Sequence, residues 1–202
     1  MLKKLTTAAV LLGLTLVGGA GKIKPDQNLQ VAAYKATKEK PEEKESPSTT
    51  VKRWTLPNGT ASEQRVLEFF QERGITDRAA LATLLGNIKQ ESLFVTNICE
   101  GGARVAYQNC HRGGYGLIQW TTTGRYDGLG RHARNIGGDP SSLETQLSYL
   151  VTEREWREVE GRFKSPGGTI NSYMRAAYWW LGWGIHGNRT HYSHQYYNAL
   201  TM

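Results

Sequence analysis

All six tryptophans of this 202-residue chain lie after residue 53. Large aromatic side chains need a core, so they mark where the chain can fold. Residues 21–53 hold a single aromatic, Tyr34, among Lys, Glu, Pro, Ser and Thr with no apolar periodicity. Such a stretch cannot bury enough surface to offset its ordering entropy, and it reads as a charged, disordered linker. Ahead of it, Lys3 and Lys4 precede an uncharged run from Leu5 to Gly21 that contains Gly18-Gly19-Ala20. Residues 1–20 therefore read as a secretory signal peptide cut after Ala20. The alternative is an uncleaved membrane anchor, for which the run is short. Residues 54–202 remain as one folded domain, long enough to bury a core without metals or dense disulfides.

The formal charge is +7, but it is unevenly placed. Residues 1–53 carry ten of the 25 basic and five of the 18 acidic side chains. The folded part is close to neutral, which removes most of the support for a nucleic-acid partner.

Helical spacing dominates residues 54–202. Ser62 is placed to cap a helix carrying Val66, Leu67, Phe69 and Phe70 and ended by Gly74. Thr76 and Asp77 open a second helix, in which Leu81, Leu84, Leu85 and Ile88 recur up to Glu91. Residues 97–116 are Gly-rich and irregular. Ser141-Ser142-Leu143-Glu144 reads as a capping box for a helix that reaches Trp156 or beyond. Further helices are expected near 169–182 and 189–200. No long alternating strand pattern is present. The expected fold is mainly α, with a small β or irregular lobe near 97–120.

Cys99 and Cys110, after a signal peptide, most simply form a disulfide. The competing reading is a thiol nucleophile at Cys110, for a thiol-dependent amidase or peptidase. The zinc signal is weak, and no metal or other cofactor is expected.

Glu91 falls on the same face as Leu84 and Ile88, in the last turn of its helix. The helix dipole and apolar neighbours both disfavour its ionised form there. A carboxyl kept protonated near neutral pH is a general acid. The alternative is a Glu exposed at a frayed helix end.

Four blocks stand in order: GNIKQES (86–92), GGYGLIQW (113–120), TGRYDGL (123–129) and SLETQLSYLVTE (142–153). Together they resemble the phage-tail-lysozyme-type domain of the lysozyme-like superfamily, over about Ser62 to Leu200. The first two blocks are also similar to the Glu-Ser and Gly-Leu-Met-Gln blocks of goose-type lysozymes and soluble lytic transglycosylases. Leu93-Phe94-Val95 and the Cys99–Cys110 segment depart from the pattern, and residues 179–187 match it loosely.

The resemblance implies an α+β lysozyme-like fold with a sugar-binding cleft flanked by the small lobe. It implies cleavage of the β-1,4 bond between N-acetylmuramic acid and N-acetylglucosamine, with Glu91 as the acid. Ser92, Tyr115, Gly116, Gln119 and Trp120 are then candidates for contact with substrate, Ser92 also as support for the helix end. Trp179, Trp180, Trp183 and Tyr192 are further candidates for stacking on sugars. Asp127, in a matching block, is the candidate second carboxylate, with Glu100 behind it. The expected activity is that of a secreted or periplasmic muramidase, or a virion-associated one if phage-encoded. Its partners are peptidoglycan strands, with transient membrane contact through the N-terminal segment and other virion proteins as further expectations. The alternatives are a wall-binding or virion structural module without turnover, and a lytic transglycosylase that leaves 1,6-anhydro ends.

Overall fold

Leu81, Leu84, Leu85 and Ile88 build helix α2, Arg78–Ser92, and every residue from Ala79 to Ile88 is buried. A helix enclosed on all sides is the centre of its fold. This computed structural model describes residues 52–111 and 113–202; the signal segment and residues 21–51 of the linker lie outside them. The other helices are α1 (Ala61–Glu72), α3 (Thr123–Ile136), α4 (Leu143–Leu150), α5 (Arg154–Lys164), α6 (Ile170–Leu181) and α7 (Arg189–Ala199); α1, α5, α6 and α7 pack on α2, while α3 packs on α4 and α4 on α1. Among the described residues, none of these helices is long and apolar enough to cross a membrane.

The starts of the helices are set by side chains. Asp77 accepts from the Ala80 N–H at 3.0 Å to cap α2. Thr60 and Glu63 form a reciprocal capping box at α1, so Thr60, not Ser62, is the cap. Ser142 caps α4 through the Thr145 N–H, while Glu144 turns away to grip Arg65 with two hydrogen bonds of 2.8 and 3.0 Å. The expected box from Ser141 to Glu144 is therefore not made. Nor does this helix continue to Trp156. The chain breaks at Val151–Glu153, because Glu153 turns inward to Arg125 (2.7 and 2.9 Å) in extended conformation and α5 begins after it.

Helix α3 was not expected at all. Its glycines weaken a helix in isolation, yet Gly128 and Gly130 admit tyrosine side chains at close range here. A Cβ on Gly128 would fall 2.1 Å from the Tyr149 hydroxyl oxygen.

Helix α7 makes the most extensive contact with α2. The crossing is close because position 86 has no side chain: a Cβ on Gly86 would lie 2.5 Å from the Ser193 backbone nitrogen and 2.7 Å from its Cα. On the other side, α5 and α6 close over an aromatic core in which Trp156 meets Phe70, Phe163 and Trp180 at centroid distances of 5.4, 5.7 and 5.0 Å.

Residues 97–120 form the small lobe. It holds the isolated bridges Ile98–Arg104, Cys99–Tyr115 and Tyr115–Trp120 and a 3-10 turn at Tyr107–Asn109. The Cys99–Cys110 disulfide pins it, with Cα atoms 5.6 Å apart. At the far end of the body the chain clasps itself. Thr55 and Thr201 exchange backbone hydrogen bonds of 2.7 and 3.1 Å, and the Trp54 indole donates to the Thr76 carbonyl at 2.8 Å.

Gly86→Ala tests the crossing. Helix propensity alone would stabilise α2 by about 1 kcal/mol. The added methyl meets the Ser193 backbone as well as its hydroxyl, and the backbone cannot swing aside, so overpacking of about 1–3 kcal/mol should win. The expected outcome is a lower melting temperature in a thermal unfolding scan; a higher one would show that α7 moves aside freely.

Candidate active site

Glu91 lies in the last turn of α2, and the chain leaves that turn under strain. Leu93 and Phe94 both adopt left-handed backbone, with φ of 52° and 62°. Such conformations cost non-glycine residues about 1–3 kcal/mol each and persist only where the surroundings enforce them. Here the Leu93 N–H donates to the Lys89 carbonyl at 3.0 Å, and the buried Phe94 ring packs edge-on against Tyr196.

The turn leaves the Glu91 carboxylate facing Arg189, the first residue of α7, which donates to it through Nη2. The side chains are 14% and 5% exposed. Arg189 is held from several sides: Nη1 donates to the Ile185 and His186 carbonyls at 2.8 Å each, and the guanidinium lies 4.6 Å from the Trp183 ring centroid, while its buried Nε has no partner. The neighbouring Gln90 accepts from the Asn188 N–H at 2.7 Å. Two consecutive residues at the end of α2 thus hold the chain that enters α7.

Burial pushes the Glu91 carboxyl above the ordinary carboxylate range, against the opposing pull of Arg189 and the weaker pull of Arg125. Desolvation wins over two cations because the carboxyl has lost most of its water.

The GLIQW loop is strapped to the same helix end. The Ser92 hydroxyl, on a residue 2% exposed, donates to the Leu117 carbonyl at 2.8 Å. Gln146, fully buried on α4, accepts from the Leu117 N–H at 2.8 Å and donates to the Thr96 and Pro140 carbonyls at 2.7 and 2.8 Å. Gly116, at φ +73°, makes room for it: a Cβ there would fall 2.6 Å from the Gln146 amide.

Several of the other candidate residues lie inside the fold. Ser92 and Gly116 are buried, and Ser92 supports the helix end as expected, through its bond to Leu117. Tyr115 and Trp120 are fully buried; Tyr115 bonds Ser141 at 2.7 Å and Trp120 packs on Tyr149. Neither ring has a face open to a sugar. Trp180 is core as well, and Tyr192 lies half-buried with Lys89 over its ring. Gln119 is half-buried at φ 54°, its amide donating to the Gly116 carbonyl at 3.0 Å. Trp179, at 74% exposure, and the half-buried Trp183 are the remaining open aromatics of that set.

Asp127 stands exposed on α3, and its charge acts on the Tyr107 and Tyr126 hydroxyls. Glu100 is exposed in the small lobe. Neither is among the charges that act on Glu91, which are those of Arg189 and Arg125. A cavity of about 540 Å³ lies between α3, α4 and the start of α5, lined by Arg125, His132, Tyr149 and Glu153 among others, with Arg125 linking it electrostatically to Glu91. Among the described residues, no group of three or more His, Cys, Asp or Glu is gathered as a metal site. Cys110 is bonded to Cys99, so the thiol-nucleophile reading has no free sulfur to work with.

Arg189, Gln146 and the Arg125–Glu153 pair were missed from the sequence. A buried Glu calls for a cation, but thirteen arginines in residues 54–202 leave the choice open.

A mainly helical body with a small disulfide-pinned lobe is consistent with a lysozyme-like domain. The profile of the phage tail lysozyme family matches residues 61–200, and the chain belongs to that family. No curated protein and no solved structure matches the chain. Family membership indicates a lysozyme-like function acting on peptidoglycan.

The charge balance at Glu91 has a thermodynamic signature. With its folded-state pKa raised, the native protein holds more protons than the unfolded chain between the ordinary carboxylate range and the raised value. Stability should therefore fall as pH rises through that window. Glu91→Gln lacks this loss, so its melting temperature relative to wild type should climb with pH and then level. A difference that falls instead would mean that Arg189 outweighs burial.

Proposed function

We propose that the protein is a peptidoglycan muramidase with Glu91 as general acid. The observation that carries this reading is a carboxyl held above its ordinary pKa by burial, at the strained end of the central helix. In the protonated form, Glu91 gives its proton to the glycosidic oxygen as the bond to muramic acid C1 breaks, and N-acetylglucosamine departs as an alcohol. The Arg189 charge then stabilises the carboxylate left behind.

Two fates of C1 follow from different second groups. In the hydrolytic reading, Asp127 takes a proton from a water whose oxygen bonds to C1, leaving a reducing muramic acid end. In the transfer reading, the muramic 6-hydroxyl closes on C1 and yields a 1,6-anhydro end. The transfer reading comes second; it needs no second carboxylate, and Asp127 and Glu100 both stand exposed. A wall-binding module without turnover would have little use for an acid in this environment.

Mass spectrometry of fragments released from purified peptidoglycan tests these readings together. Glu91→Gln should lower release by about 10²–10⁴-fold and keep the fold. Hydrolysis predicts reducing ends and a smaller but definite loss in Asp127→Asn. Transfer predicts anhydro ends and no loss in Asp127→Asn. Release at near wild-type rate by Glu91→Gln would remove Glu91 from the chemistry.

A further inference from the structure

Helix α6 places its C-terminal aromatics on the outside. Trp179 is 74% exposed, Tyr178 46%, and Ile185 just beyond them 82%. Their rings form a continuous path from the acid. Arg189, bonded to Glu91, lies against Trp183. Trp183 meets Tyr178 at 5.3 Å, and Tyr178 meets Trp179 at 5.7 Å, each nearly perpendicular. Trp179 then forms one wall of a cavity of about 710 Å³ between α5 and α6. The charged residues lining that cavity are Arg162, Arg175 and Glu158, with Ser165 and Ser172 adding hydroxyls.

We propose that Trp183, Tyr178 and Trp179 form a ledge that binds the peptidoglycan strand beyond Glu91, and that Arg162 and Arg175 in the adjoining groove receive carboxylates of its stem peptides. The proposal rests on the muramidase reading and names where its substrate runs. Aromatic rings offer a sugar ring an apolar face at little entropic cost, since each has only two side-chain torsions to fix. Arg189 holds Trp183 in place through the same guanidinium that pairs with Glu91. Arg is suited to carboxylates through its planar fork, and the groove has two arginines to one carboxylate.

A membrane fits less well. A membrane-binding face is a broad apolar stripe with a basic rim; here perpendicular rings lead into a polar groove.

The test uses the full chain carrying Glu91→Gln, which binds without digesting, and sedimentation with purified sacculi. Adding Trp179→Ala should weaken binding about tenfold, and adding Arg175→Ala should weaken it for walls that bear free stem-peptide carboxylates. In the otherwise wild-type chain, Trp179→Ala should raise KM on sacculi by a similar factor while kcat holds. Both side chains are exposed, so melting temperatures should not move. Unchanged sedimentation of both double variants overturns the proposal. So does a Trp179-dependent dimer, or an equal Trp179-dependent binding to anionic phospholipid vesicles. If Trp179 governs binding but wild type releases no fragments, the ledge stands and the muramidase reading fails. If fragments are released and Trp179→Ala binds as before, the ledge alone fails.

Discussion

The buried ion pair between Glu91 and Arg189 is the contact on which the site depends. It joins the end of α2 to the start of α7 across 98 residues of chain. Removing one partner of such a pair costs about 3–5 kcal/mol, because the other charge is left in low dielectric. In the proposed reaction the same contact would set the chemistry. Burial raises the proton affinity of the carboxyl, and the guanidinium keeps its ionised form within reach. An acid that must give up a proton and regain it needs both. Arg189 in turn is held by two carbonyls and an indole ring, so its charge stays beside the Glu91 carboxyl.

The small lobe is held by a different device. Gln146 uses its whole amide on backbone groups from three separate segments, and Ser92 adds a fourth tie from the acid's own helix. A loop with few regular hydrogen bonds thereby gains a fixed position relative to Glu91. Three non-glycine residues with positive φ, Leu93, Phe94 and Gln119, lie on the two sides of this junction. Strain of this kind gathers where position matters more than comfort.

Much of the helical frame was legible. The Leu81–Ile88 periodicity, the Asp77 cap and the later helices were all visible as local patterns, and Glu91 was reached by the same spacing. The disulfide followed from cysteine count and context. What failed was non-local. Helix α3 was hidden because Gly128 reads as a breaker until Tyr149 is seen against it. The break after α4 was hidden because it depends on Arg125 drawing in Glu153. Tyr115 and Trp120 looked like sugar platforms because an aromatic beside a motif reads the same whether it faces solvent or core. Their burial is decided by Tyr149, Ser141 and Val105, none of which is adjacent in sequence.

The clasp between Thr55 and Thr201 has a directional effect. It sits by Thr76 and Arg78, whose guanidinium donates to the Leu200 carbonyl at 2.8 Å, and so marks the N-terminal end of α2. Glu91 is thirteen residues along that helix, roughly 20 Å away at 1.5 Å per residue. A leash tied to either end of the folded body would therefore pull from its rear. With Glu91 as the acid, the central helix would act as a boom whose load is taken at the end remote from the chemistry.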